Sequence, residues 1–201
     1  MHTQTTETFQ HSTDEKVATL SRSHWNWNRI RTIAFWVTTS VVVSELTAGS
    51  IWNLLQIEWI RVQLRHLGYP EYFALISGAW QAGGAAVIIA PRLPRLKEWA
   101  YAGAFFTWSG AVATHLLRGD HRPVSVWLTP LMFAMFAVTS WALRPADRRL
   151  PNSGLPPESR PLARAVPIGI LLLLYVVFFL TLPPVEAALH ERAIELGWIA
   201  R

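Results

Sequence analysis

Five long apolar runs, each near the length a helix needs to cross a hydrocarbon core, limit this chain more than any other feature. A membrane-spanning helix takes about 20 mostly apolar residues, because in lipid the backbone N–H and C=O groups must be satisfied within the segment. The runs are Ile30 to about Ser50, Glu71 to Ala90, Trp99 to Leu117, Val124 to Leu143 and Ala165 to Leu182, with short charged connections between them. They predict an all-α transmembrane protein, and a composition that is 51% hydrophobic agrees. A polar stretch precedes the first run and further runs follow it, so it reads as a retained span rather than a signal peptide. Residues 1–28 are rich in Thr, Ser, His and Gln without an apolar period, and read as a disordered cytoplasmic tail.

The net charge of +5 raises nucleic acid as a partner, and the placement of the cations argues against it. With the N-terminus cytoplasmic, twelve of the eighteen Lys and Arg fall on the inner side, among them Arg92, Arg95, Lys97, Arg144, Arg148 and Arg149. Arg61, Arg65, Arg118 and Arg122 fall on the outer side. The positive-inside rule then gives an inner membrane protein with its N-terminus cytoplasmic and its C-terminus periplasmic. No basic stripe with interleaved aromatics lies on a soluble stretch, so no nucleic-acid interface is expected. The absence of cysteine removes thiolate nucleophiles, disulfide exchange, iron–sulfur clusters and Cys-ligated zinc.

Between the first two spans, residues 52–68 mix Leu54, Leu55, Trp59, Ile60, Val62, Leu64 and Leu67 with polar residues at helical spacing. This predicts an amphipathic helix on the outer surface or over the bundle mouth, stopped by Gly68 and Pro70. Residues 147–164 read as a cytoplasmic linker and 165–183 as a fifth, lipid-facing helix with Tyr175 the one polar residue in its middle. Residues 184–201 read as a short periplasmic tail with a surface helix carrying Leu189, Ile194, Leu196 and Trp198 on one side. Gly103, Thr107, Gly110 and Thr114 in the third span, and Ser77, Gly78, Gly84 and Ala85 in the second, form strips of small residues at which helices pack closely in lipid. Most of the eleven tryptophans sit near span ends, as an aromatic belt requires. Trp80 and Trp108 fall well inside the second and third spans and are expected to line a cavity or fill the bundle core.

Glu45 interrupts the first apolar run. A carboxylate facing lipid costs on the order of 3 kcal/mol even on the lenient insertion scales, so Glu45 is expected to point inward. It lies about 7 Å, five residues of helical rise, below the outer end of its span. His115 sits at comparable depth in the third span, Gln81 is near the middle of the second, and His66 and Asp120 mark outer loops. A polar pocket opening outward is the expectation, and three readings of it stand side by side. Glu45, Gln81 and His115 hold the bundle together; or they grip the polar head of a lipophilic ligand, with Trp52, Trp80, Trp108, His66 and Asp120 around it; or Glu45 and His115 form a catalytic pair moving protons on a lipophilic substrate. No His pair has i,i+4 spacing, so no metal or haem site is expected.

The runs ELTAGSIW (45–52), HLGYP (66–70), GAWQAGGA (78–85), APRLPRLKEWAYAG (90–103), THLLRGD (114–120) and SWALRP (140–145) resemble the DoxX-like membrane proteins. The resemblance covers roughly residues 30–150. It implies a bacterial inner-membrane four-helix bundle over residues 29–146, to which this chain adds one C-terminal transmembrane helix. The family pattern falls on Glu45, Gly49, Trp52, Gly68, Tyr69, Pro70, Trp80, Pro91, Trp99, Gly103, His115 and Asp120. In one departure, Gln81 stands where many members carry Lys, which removes a cation for Glu45. The resemblance implies an accessory subunit of a membrane redox system that binds a quinone or lipid and docks a redox partner subunit. A stand-alone enzyme for isomerisation or cyclisation and a structural assembly protein are the alternatives.

Overall fold

The computed structural model describes the backbone of residues 3–145, 148 and 162–199, and the side chains of residues 27–145, 148 and 165–199. Among the described residues every regular element is a helix: α1 (Thr3–Leu54), α2 (Glu58–Leu67), α3 (Tyr72–Ile89), α4 (Pro94–Leu117), α5 (Ser125–Leu143), α6 (Leu162–Leu180) and α7 (Leu182–Glu195). The core forms where α1, α3, α4 and α5 meet. Val42, Val43 and Leu46 of α1 pack with Ala85, Ile88 and Ile89 of α3, Ala104 and Trp108 of α4, and Ala134 and Ala137 of α5. Small residues at these crossings let the backbones approach, which is how helices associate where lipid offers no hydrophobic driving force.

The hydroxyls of α1 show why a polar sequence is tolerated there. Thr39 donates to the Phe35 carbonyl at 2.6 Å, Thr47 to Val43 at 2.7 Å and Ser50 to Thr47 at 2.7 Å, so each is satisfied within its own helix. Two of them also reach across. Thr39 and Tyr101 both bond the fully buried Ser140 at 2.7 Å, linking α1, α4 and α5. Lys97 solves a different problem. It is 1% exposed, and its ammonium donates to the carbonyls of Val87, Ile88 and Ala90 at 2.5–2.7 Å. Those are carbonyls that the end of α3 leaves without a helical partner, so the lysine at the start of α4 caps the preceding helix.

Tyr175, the one polar residue in the apolar middle of α6, shares a 2.9 Å hydrogen bond with Ser50, and α6 packs on α1 and α3. The amphipathic stretch folds as the ten-residue α2 with Ile60, Val62, Leu64 and Leu67 buried. It packs on α3 and α7, and Leu182 and Leu189 lie against the same cluster.

Several expectations change. Residues 3–28, read as a disordered tail, continue α1 as helix; extending a helix already nucleated by the apolar run costs far less than starting one. In α4 the strip of small residues turns outward: Gly103, Thr107 and Gly110 are exposed, and α4 buries Lys97, Tyr101, Ala104, Trp108 and His115 instead. The large residues win that face because they bring more apolar contact than the glycines can. Residues 147 and 149–161 of the linker lie outside the described residues.

Among the described residues three helices are long and apolar enough to cross a membrane, Trp27–Leu54 of α1, α3 and α5, and α6 with α7 is so only as a pair bent by 57°. That makes three or four spans against the five read from sequence. α4 is long enough at 24 residues. Arg95, Lys97 and Glu98 at its start, and Thr107, Ser109, Thr114 and His115 beyond, make it more polar than α3 and α5.

Candidate functional site

The candidate residues separate into three groups. Glu45 lines a groove of about 400 Å³ with Ser40, Val41, Ser44, Ala48 and Trp52 of α1, Phe133 of α5 and Phe178 of α6. Its carboxyl has no hydrogen-bond or ion-pair partner among the described residues. This is an acid on an inward face of α1, set in walls that are otherwise mostly apolar. A larger cleft of about 450 Å³ lies between α4 and α5 beside Glu98, Trp99, Tyr101 and Trp141. There the carboxylate is already matched, accepting from Arg144 at 2.7 Å and from the Trp141 indole at 2.6 Å.

The second group joins the end of α2 to the end of α4. His66 Nε2 is 2.9 Å from both oxygens of Asp120, and His115 Nδ1 is 2.7 Å from Asp120 Oδ2. The loop brings Asp120 back because its N–H closes on the His115 carbonyl at 3.0 Å, and Arg118 ties the same turn to α2 through the Leu67 carbonyl at 3.0 Å. Burial pushes the Asp120 carboxyl up, and the hydrogen bonds from His115 and His66 outweigh it and hold the carboxyl below the usual aspartate range. An ionised Asp120 accepts from both rings, so His115 directs an Nδ1–H at the carboxylate. Among the described residues, the hydrogen-bonding group at His115 Nε2 is the Gln63 amide at 3.4 Å, a long contact. His115 is 1% exposed.

The third group is Gln81, which accepts from Asn53 at 3.2 Å, while Asn53 also donates to the Gly49 carbonyl. It bonds α3 to α1. Of the aromatics expected around a pocket, Trp52 lines the Glu45 groove. Trp108 is buried and tilts against Phe133 at 5.6 Å. Trp80 is 78% exposed, outside all three groups, because Gly78 and Ala85 take the inward face of α3. No hydrogen bond joins Glu45 to His115; each has its own surroundings.

The model of the DoxX-like family matches residues 37–140. The chain belongs to the DoxX-like family. No curated protein and no solved structure matches it. Family membership and the apolar helices together make this DoxX-like chain a multi-pass membrane protein. The matched stretch runs from within α1 to Ser140, near the end of α5, and holds Glu45, Gln81, His66, His115 and Asp120. Beyond it lie α6 and α7, and with them Phe178 of the groove and Trp198, whose ring covers the histidines. Sequence reasoning missed Trp198 as a site residue. The signal was an aromatic one position after a glycine at the end of the last helix, which a surface reading absorbs.

Proposed function

We propose that this DoxX-like protein is a bacterial inner-membrane accessory subunit of a redox system that holds the polar head of a quinone-class molecule against Glu45. In this reading α1, α3, α4 and α5 form a four-helix bundle and α6 is a fifth span, giving a cytoplasmic N-terminus and a periplasmic C-terminus. The observation that carries the reading is Glu45 itself, a carboxyl without a partner among the described residues, in an apolar groove between α1, α5 and α6. An acid in such walls is costly unless something polar comes to meet it. A quinol hydroxyl donates to the ionised acid, and a quinone carbonyl accepts from the protonated one, so either redox state finds a partner. The apolar walls and Trp52 suit the ring and tail.

The test is native mass spectrometry of the protein released from membranes in mild detergent, wild type against Glu45→Gln, beside thermal melts of both. The wild type is expected to carry a quinone-class mass, and the variant to lose about tenfold in occupancy, the worth of roughly one charge-assisted hydrogen bond. Melting is expected to stay close to wild type. Equal occupancy in the two proteins rules the site out.

A further inference from the structure

The hydroxyls of α1 do not all behave alike. Thr32, Thr38, Thr39, Thr47 and Ser50 each donate to a carbonyl of their own helix three or four residues back. Ser40 and Ser44 do not, and neither has another hydrogen bond among the described residues. Both line the groove of about 400 Å³ that holds Glu45. Two hydroxyls and a carboxyl, all without partners among the described residues, therefore open into one groove whose other walls are mostly apolar.

Helical geometry sorts these residues across the groove. Successive residues turn by about 100°, so Ser44 and Glu45 stand toward different sides of this face of α1, and Ser40, one turn before Ser44, stands on the serine side. Val41 and Ala48 are each three or four residues from both Ser44 and Glu45, so they fall between them. The result is an apolar floor with hydroxyls along one edge and a carboxyl along the other, closed by Phe133 of α5 and Phe178 of α6. A flat ring lying on Val41 and Ala48 turns one edge toward Glu45 and the opposite edge toward the serines. A head with a single oxygen meets the carboxyl and leaves the serine edge unmatched.

We propose that the Ser40–Ser44 edge is the second polar contact of this groove, which selects a ring carrying oxygens on opposite sides, one for Glu45 and one for the serine hydroxyls, over a lipophile with a single oxygen. This selectivity rests on the reading of Glu45 as the anchor of a quinone-class head, and it adds what the far side of that head must carry. A serine hydroxyl donates to a quinone carbonyl and accepts from a quinol hydroxyl, so the serine edge serves either redox state, as the carboxyl does. Among apolar walls a hydroxyl that faces a C–H edge stays unsatisfied, and that difference is the source of the discrimination.

The test titrates the delipidated full chain in mild detergent with decylhydroquinone or with 3-decylphenol, which has the same ring and tail and lacks one of the two hydroxyls, and reads occupancy by native mass spectrometry. The wild type is expected to bind the hydroquinone about tenfold more tightly, the worth of roughly one hydrogen bond. With Ser40→Ala and Ser44→Ala combined, that preference is expected to fall to parity through weaker hydroquinone binding, with the phenol unchanged. Alanine favours helix more than serine does, so this variant keeps α1. Glu45→Gln is expected to weaken both probes. Equal wild-type affinities for the two probes, which need no variant to fold, or an undiminished preference in the serine variant would overturn the proposal and leave the Glu45 anchor in place. A wild type that binds neither probe, or Glu45→Gln without effect on either, would remove the anchor and this proposal with it.

Discussion

At the scale of single residues, Asp120 is the clearest case of one side chain setting the state of others. Its carboxylate serves two imidazoles that no other described acid reaches. Because both bonds favour the ionised form in the folded protein, its carboxyl is held below the ordinary range despite partial burial. The stability it adds is therefore complete above the unfolded pKa of about 3.9 and is lost as pH falls through the lower folded value. Asp120→Asn keeps the shape and removes the charge. It is expected to cost roughly 1–3 kcal/mol near neutral pH. Thermal melts of the two proteins across pH check this: the gap should be widest near neutrality and close below about pH 4. A gap that persists undiminished in acid would assign the loss to packing instead. Glu45 was legible in the sequence because an acid inside an apolar run is conspicuous on any scale. The pairing of Asp120 with His66 and His115 was not, since it depends on a loop turning back by one hydrogen bond.

Among the elements, the crossing of α1 and α3 depends on a glycine that the sequence marked and on a distance that it did not. A Cβ on Gly78 would stand 2.8 Å from Leu54 Cγ and 3.0 Å from the Leu54 backbone nitrogen, and the latter cannot swing aside. On Gly84 it would meet only Leu46 Cδ1 at 3.6 Å, an ordinary contact. Gly78→Ala is thus expected to force the helices apart at a cost of about 1–3 kcal/mol. Gly84→Ala should be neutral or gain up to about 1 kcal/mol from helix propensity. Unfolding of both variants in mixed micelles under increasing SDS compares them directly, and equal stability would show that the approach at Gly78 is not tight. The same small-residue reasoning failed for α4. A spacing of three and four identifies a helix face without saying which way it points, and Tyr101, Trp108 and His115 claim the interior there.

For the whole molecule, topology is the property that a cysteine-free chain makes easiest to read. The proposed topology, four bundle spans with a cytoplasmic N-terminus, requires a cytoplasmic α3–α4 connection and a periplasmic α4–α5 loop. Arg92→Cys and His121→Cys place one thiol in each, at exposed positions. In intact spheroplasts a membrane-impermeant maleimide is expected to label His121→Cys at once, and Arg92→Cys only after the membrane is opened. Labelling of both from outside would mean that α4 does not cross, the reading its polar content leaves open. The apolar runs, their order and the family over residues 37–140 were all present in the linear pattern, because helix formation and lipid solubility are local, additive properties. Partnership was settled only by folding. Which carboxyl stays unmatched, which lysine caps a neighbouring helix and which tryptophan covers the histidines follow from where faces and loop ends meet in space, and no spacing along the chain encodes that.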